Sequence, residues 1–433
     1  MTSQKLISIA CLNQSIHWFI FGLIIPVLTL LQLEKGLNYF QIGITLATYS
    51  GATVILELPT GGLADSIGRK KVYLISLIVT FTSTIIILMV QSFMGMVIGF
   101  AVMGCARALS SGSMDAWFID EFYKIEAKDK LQPALAKIGF CVPLGLGMGC
   151  LIAGWLPMHF GHLMTPISGF TIYSSNLIAV GIMVIIQFLI TLIIVKEELQ
   201  SGHQSTLLKG FSQFPTIIKT SFQYGLKNRT VFLLLLTTFA WGVSISGLEL
   251  LWQPRVKDII KIEGNTWIFG ILATGYFMAD ALGNVVVSKL CKIFKNSYSL
   301  ILMYTRMTMG LFLLILAFQS RITGFTFFYW TLFIFNGMSN SPHAAIFNTA
   351  IPADKRSTLL SFESLFLQIG GLLGALIMGY LANTLSISIA WILGAVILLI
   401  SSLAYAYLPH HSKKQPKKYA HQAEKKYGSW LDC

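Results

Sequence analysis

Charged side chains are scarce in this sequence. Only 11% of its 433 residues are Asp, Glu, Lys or Arg, against about a quarter in ordinary soluble proteins. Hydrophobic residues make up 55% of the chain, and its mean hydropathy is +0.71. One soluble domain of this length cannot bury so much apolar surface. The composition therefore excludes a water-soluble enzyme and predicts that much of the surface faces lipid.

The sequence also lacks the patterns of metal, nucleotide and catalytic sites. Its six cysteines, at positions 11, 105, 141, 150, 291 and 433, include no Cys-x-x-Cys pair. There is no G-x-x-x-x-G-K-[S/T] loop, no His-Glu-x-x-His and no clustered Ser, His and Asp set. We therefore expect no disulfide framework, no metal, no cofactor and no enzyme activity.

Long apolar runs are the main feature that is present. About 20 helical residues are needed to cross about 30 Å of hydrocarbon. The first run is too long for a signal peptide and contains Asn13, Gln14 and His17. We predict an all-α integral membrane protein with twelve transmembrane helices, over residues 6–31, 39–59, 72–91, 93–119, 134–157, 174–195, 230–252, 266–288, 298–318, 324–348, 357–382 and 387–408.

The basic residues predict the orientation of these helices. If the N-terminus is cytoplasmic, 24 of the 31 Lys and Arg residues lie on the cytoplasmic side and five lie outside. The remaining two, Arg107 and Arg306, fall within the membrane. The positive-inside rule then places both termini in the cytoplasm. We expect the protein to lie in the inner or plasma membrane of the cell. The net charge of +13 is explained by topology and by contact with anionic lipid headgroups, so no nucleic-acid partner is expected.

A polar stretch divides the chain at its midpoint. It predicts an N-terminal six-helix half over 1–195, a cytoplasmic central loop over 196–229, a C-terminal six-helix half over 230–408 and a disordered basic cytoplasmic tail over 409–433. Within the loop, apolar residues alternate with lysines over residues 207–226, a pattern typical of a helix that lies on the membrane surface. A faint internal repeat aligns Glu57 with Asp280. Two pseudo-symmetric halves of six helices are typical of secondary transporters.

A motif follows the second apolar run. The segment Gly61-Gly62-Leu63-Ala64-Asp65-Ser66-Ile67-Gly68-Arg69-Lys70 resembles the cytoplasmic loop signature of the major facilitator superfamily, G-x-L-x-D-x-x-G-R-K/R. The stretch 351–358 is similar to the loop that precedes helix 11 in that superfamily. The small residues permit close helix approach at Gly61 and a tight reversal at Gly68.

The resemblance implies a cytoplasmic gate formed by Gly61, Asp65, Gly68, Arg69 and Lys70. In the superfamily the loop Asp meets the start of helix 11, here near Ser357 and Thr358, where the helix dipole favours a carboxylate. Arg69 would then pair with an acid at the end of helix 4, which offers the candidates Asp115, Asp120 and Glu121. The alternative is that Asp65 and Arg69 only hold a turn and orient the chain by charge.

Charges at membrane depth are costly and therefore indicate partners or function. Arg107 lies in the middle of helix 4, and a continuous helix would place Ser111 and Asp115 on the same face. We expect Arg107 to face the central cavity, where it would bind an anionic group or act on a nearby acid; the alternative is a packing role. Asp280 and Arg306 are expected to form either a buried ion pair or part of the transport chemistry.

Proton coupling requires a buried group that can exchange a proton. The sequence offers several such groups, and no single one stands out: His17, Glu57, Glu249, Asp280 and Glu363. Asn336, Asn340 and His343 recur at helical spacing and form a polar face on helix 10.

The resemblance implies that the protein transports a small organic molecule by alternating access. It also implies that protons are the coupling ion and that the protein acts as a monomer. Efflux of drug-like or secreted metabolites, as in bacterial exporters of the superfamily, is the first hypothesis. The region around Pro143 departs from the exporter signature of helix 5, which leaves the direction open. The alternatives are an uptake symporter for a nutrient or organic anion, which Arg107 would favour, and a non-transporting membrane receptor or enzyme.

Overall fold

The computed structural model describes residues 2–125, 130–197, 227–261, 264–294, 297–352 and 356–408, except for the side chains of residues 58, 59, 61, 62, 65, 66, 357 and 358. The predicted surface helix and basic tail lie outside the described residues. The description contains fourteen α-helices, which we number in chain order: α1 Ser3–Gly22, α2 Leu28–Glu34, α3 Tyr39–Ile67, α4 Arg69–Met89, α5 Phe93–Ser110, α6 Ser113–Tyr123, α7 Leu131–Met164, α8 Ser174–Ile194, α9 Arg229–Ile260, α10 Trp267–Ile293, α11 Tyr298–Ala317, α12 Ile322–Ala350, α13 Arg356–Thr384 and α14 Ile387–Ser402.

These helices form twelve membrane-crossing segments, because α1 with α2 and α5 with α6 each make one interrupted segment. Within the described chain, eleven segments are long and apolar enough to cross a membrane by length and composition. The twelfth is α12, whose 29 residues suffice in length but include the polar residues Asn336, Asn340 and His343. The predicted all-helical membrane fold is confirmed.

Two breaks in the helices have identifiable local causes. Between α1 and α2, Pro26 opens a short 3₁₀ turn, Ile25–Val27, because proline removes a backbone donor and clashes with the preceding turn. Asn176 of α8 donates a hydrogen bond to the carbonyl of Leu23 at 2.9 Å, so this carbonyl beside the break keeps a partner. Between α5 and α6, Gly112 has a φ of 69°, a left-handed conformation that favours glycine.

The helices pack as two halves of six membrane-crossing segments each, α1–α8 and α9–α14. The terminal face is the side of the bundle on which α1 begins and α14 is followed by the 3₁₀ segment Leu403–Tyr407. The opposite side, with the connections at residues 35–38, 165–173 and 318–321, is the distal face. The two halves meet along α3 with α13 and along α7 with α10.

Contacts between the halves lie in the distal parts of these helices. Thr266 donates to the carbonyl of Gly154 at 2.6 Å, and Thr274 donates to that of Gly147 at 3.0 Å. Across α3 and α13, the backbone at Gly43 approaches Ala375 so closely that an added Cβ would lie 2.4 Å from its carbonyl oxygen. Small residues permit this approach of two backbones. The distal side of the bundle is therefore held closed.

Lys35 ties the distal end of α2 to the end of α4. Its ammonium donates to the carbonyls of Leu88 at 2.8 Å and Val90 at 2.7 Å, which places a cation at a helix C-terminus. Burial lowers the pKa of Lys35 to about 8.

Candidate functional site

A cavity of about 610 Å³ lies between the two halves, on the terminal side of the distal contacts. Both halves contribute to its wall. The N-terminal half supplies Phe21, Tyr49 and Phe100, and the C-terminal half supplies Trp241, Tyr276, Phe277 and Phe333. A predominantly apolar and aromatic wall with a few polar groups is typical of sites for small organic molecules.

The charged side chains that line this central cavity, among the described residues, are two acids. Glu249 of α9 is exposed to the cavity, and no described group donates a hydrogen bond to it. Asp280 of α10 accepts a hydrogen bond from Asn336 of α12 at 2.7 Å and a longer one from Asn284 at 3.4 Å. The two carboxylates therefore differ, because one is held by amide donors and the other has no hydrogen-bond donor among the described residues.

The predicted ion pair between Asp280 and Arg306 is wrong. Asp280 faces Asn336 and the cavity, whereas Arg306 is 5% exposed and lies behind the wall. Its guanidinium lies 4.9 Å from the ring centre of Trp241 and donates to the hydroxyl of Tyr405 at 3.3 Å. A cation over an indole face is stabilised by the ring quadrupole. The acidic character of the cavity is consequently not neutralised by Arg306.

Arg107 does not line the central cavity, contrary to expectation. It lines a separate polar pocket of about 160 Å³ within the N-terminal half, together with His17, Asp115 and Ser111. Arg107 and Asp115 do not share one continuous helical face, because the left-handed Gly112 ends α5 between them. Phe21 lines both the central cavity and the adjoining small recess that contains Arg107 and His17, so it separates the two regions.

The remaining candidates are dispersed. Glu57 accepts a hydrogen bond from Ser111 at 3.1 Å and lies outside the lining of the central cavity. This contact and the one between Asp280 and Asn336 each join the second membrane segment of a half to the fourth, so Glu57 and Asp280 have corresponding places in the two halves. Asn340 is exposed and is likewise absent from the cavity wall.

His343 and Glu363 pair with each other. The imidazole Nε2 lies 2.5 Å from the carboxylate, and this contact joins α12 to α13 outside the lining of the central cavity. The wall of the central cavity also includes residues that were not predicted from the sequence, notably Tyr49 and Gln368. For Gln368 a signal was available, since it is a polar residue within an apolar run.

The loop motif is partly visible in the structure. Gly68 has a φ of 102° and makes the reversal from α3 to α4 in one residue. Of the three acids expected for Arg69, the one it contacts is Asp120, at 3.2 Å. The side chains of Asp65, Ser357 and Thr358 and the surroundings of Gly61 lie outside the described part of the structure. The contact of Asp65 with the start of α13, which is helix 11 of the sequence prediction, therefore stays a prediction.

Glu197 binds to the loop motif, a contact that no pattern in the sequence predicted. Its two carboxylate oxygens accept hydrogen bonds from the backbone amides of Arg69 at 2.7 Å and Lys70 at 3.0 Å. These amides are the first of α4, where the helix dipole favours a negative charge. Lys70 in turn donates its ammonium to the carbonyl of Leu192 at 2.9 Å. The end of α8 is thereby attached to the start of α4.

We expect Glu197→Ala to destabilise the protein more than Asp120→Ala. Two charge-assisted bonds to helix amides contribute about 1.5–3 kcal/mol, whereas an exposed ion pair contributes about 0–1 kcal/mol; the Asp120 side chain is 51% exposed. Thermal unfolding of the purified variants in detergent measures both effects. Equal losses in the two variants would contradict the capping role of Glu197.

Comparison with known proteins agrees with this architecture. The chain matches the Major Facilitator Superfamily over residues 10–259 and 256–431. It is 23% identical over 392 residues to the uncharacterized MFS-type transporter YxaM of Bacillus subtilis (strain 168), covering 90% of this chain and 92% of YxaM.

Two solved structures show the same fold. The nucleoside transporter NupG superposes with a TM-score of 0.72 at 13% identity, over 93% of this chain and 98% of NupG. A bacterial homolog of the human lysosomal transporter Spinster, in an inward-facing and unoccupied conformation, superposes with a TM-score of 0.68 at 14% identity, over 93% of this chain and 96% of the homolog. The protein is a multi-pass membrane transporter for a small molecule and not an enzyme, and the chain belongs to the major facilitator superfamily.

Proposed function

We propose that this secondary transporter exports cationic and neutral amphipathic organic molecules from the cytoplasm in exchange for protons. The observation that carries the proposal is the composition of the central cavity. Its wall is aromatic, and its charged residues, among those that the structure describes, are both acids. In this proposal the terminal face is cytoplasmic and the protein resides in the cell membrane as a monomer.

The cavity favours one class of solute over another. An organic cation gains attraction from Glu249 and Asp280 and stacks on ring faces such as those of Trp241 and Tyr276. An organic anion would face the same two carboxylates in a region of low dielectric constant and would be repelled. This wall therefore supports the export hypothesis over uptake of an organic anion, because Arg107 lies in a different pocket.

Exchange with protons follows from the different surroundings of the two acids. Glu249 has no donor among the described residues, so either a proton or a cationic substrate can neutralise it, but not both at once. Asp280 is oriented by Asn336 and serves as a fixed point of attachment. Competition for Glu249 couples the two movements in opposite directions. The distal contacts would open as the two halves rock, and the loop motif would close the terminal side by placing Asp65 against the start of α13.

Transport in proteoliposomes tests this proposal. The purified protein is reconstituted and an acidic lumen is imposed, with ethidium as an aromatic cation and fluorescein as an anion of similar size. Ethidium is expected to accumulate in the acidic lumen, to be released by a protonophore, and to stay outside in protein-free liposomes. Accumulation of fluorescein, expulsion of ethidium with the protons, or movement that ignores the gradient would contradict the proposal.

A further inference from the structure

The polar pocket of the N-terminal half has a composition unlike that of the central cavity. We call it the N-half pocket and define it by Gln14, His17, Trp18, Arg107, Ser111 and Asp115. It is formed by α1 on one side and by α5, Gly112 and α6 on the other. Phe21 and Met103 line both the central cavity and the recess beside Arg107. The pocket is therefore a compartment beside the transport cavity, separated from it by apolar side chains.

Arg107 is the cation of the N-half pocket. Within the described residues it forms no hydrogen bond and no ion pair, and its contacts are with the rings of Trp18 and Phe21, each 5.9 Å from the guanidinium carbon. An arginine has five N–H donors in a rigid fork that matches a carboxylate or a phosphate. A charge at membrane depth that forms no hydrogen bond or ion pair with described residues indicates a ligand or a function.

Asp115 supplies the opposite charge. Gln14 donates to one of its carboxylate oxygens at 2.6 Å, which orients the group, and no described residue donates to the other oxygen. Asp115 does not neutralise Arg107, because no ion pair joins them within 4.0 Å. The pocket thus holds one cation and one anion that are separated from each other. A ligand with a single charge would meet one favourable and one unfavourable group.

The size of the pocket limits the ligand. A volume of about 160 Å³ is below the roughly 300–1,000 Å³ of pockets that hold drug-sized ligands. This is enough for a molecule the size of a small amino acid and too little for a drug-sized compound. Ser110 and Ser111 line the same pocket and add hydroxyl groups that can bond to a polar ligand.

We propose that the N-half pocket is a second ligand site that binds a small zwitterion, with its acidic group on Arg107 and its ammonium group on Asp115. Such a ligand would connect α1 and α5 to α6 across the break at Gly112. Because α6 also contains Asp120, which pairs with Arg69 of the loop motif, occupation of the pocket would be transmitted to the terminal face. This site is distinct from the central cavity and goes beyond the proposed export function.

Binding to the purified protein in lipid nanodiscs tests the proposal. The probes are three zwitterions of increasing charge separation, namely glycine, β-alanine and γ-aminobutyrate, with propionate and propylammonium as singly charged controls. Isothermal titration at constant ionic strength is expected to show that at least one zwitterion binds at least tenfold more tightly than either control. Equal affinity for propionate would overturn the zwitterion assignment, and no binding of any probe would overturn the site.

Variants locate the site within the protein. Arg107→Gln and Asp115→Asn are each expected to weaken zwitterion binding at least tenfold. Arg107→Lys keeps the positive charge, so its affinity for the zwitterion should lie between that of Arg107→Gln and that of the unchanged protein. This intermediate affinity separates loss of the ligand contact from misfolding. Arg321→Gln, which removes an arginine at the start of α12 far from the pocket, is the matched control. Binding that survives both Arg107→Gln and Asp115→Asn would contradict the assignment.

Discussion

Glu249→Gln is expected to reduce proton-driven transport of an organic cation by roughly ten- to a hundredfold. Glutamine keeps the shape of the side chain but can neither carry the negative charge nor exchange a proton. The loss of one charged contact corresponds to about 1.5–3 kcal/mol, and each 1.4 kcal/mol is a factor of about ten. The measurement is the initial rate of ethidium accumulation in proteoliposomes with an acidic lumen.

The neighbouring acids provide the controls for this experiment. Asp280→Asn should weaken ethidium binding while retaining proton coupling, since Asp280 is held by Asn336 at 2.7 Å and contributes attachment. Asp258→Asn changes an acid near the distal end of α9 that does not line the cavity, and its transport rate should match that of the unmodified protein. A normal rate for Glu249→Gln would exclude this carboxylate from coupling.

The membrane segments could be predicted from the sequence because their signal is local. An apolar run of about 20 residues needs no knowledge of its neighbours to be identified as a crossing helix. The structure lengthens many of these runs, as for α7, predicted over 134–157 and observed over Leu131–Met164. Gly68 was also predictable, since a one-residue reversal requires a conformation that glycine adopts readily.

The composition of the site could be predicted only in part, because it depends on the directions of side chains. Asp280 and Arg306 lie on helices that are consecutive in sequence, yet α10 packs against α12, and Asp280 therefore meets Asn336. The position of Asp115 depended on whether the fourth membrane segment, which consists of α5 and α6, is one continuous helix. Gly112 gave a signal for the break, but glycine inside an apolar helix is common and does not by itself indicate one.

Glu249 also shows that the sequence of a single helix does not specify which groups surround a side chain. Its sequence position near the end of a membrane segment was compatible with an ordinary interfacial acid. The role proposed for it rests on the surrounding wall, which includes Phe21 and Tyr49 of the other half. No pattern within α9 specifies those neighbours, so the distinction between Glu249 and the other candidate acids required the assembled bundle.

Gly154→Leu is expected to abolish transport while leaving membrane insertion intact. An added Cβ at Gly154 would lie 2.8 Å from the backbone nitrogen of Gly270 and 2.9 Å from the carbonyl oxygen of Thr266. A leucine side chain therefore cannot fit unless α7 and α10 move apart, which would also break the hydrogen bond from Thr266. Alternating access requires the distal side to close in one half of the cycle, and this variant would keep it open.

The matched control lies on the same helix. At Gly139 an added Cβ meets no atom of the described residues within 4 Å, so Gly139→Leu should transport at the unmodified rate. Spin labels at the exposed distal residues Met94 and Leu385, introduced as cysteines after removal of the native ones, report the separation of the halves. Their distance should lengthen in Gly154→Leu and stay unchanged in Gly139→Leu. An unchanged distance together with normal transport in Gly154→Leu would show that the distal contact is not required for closure.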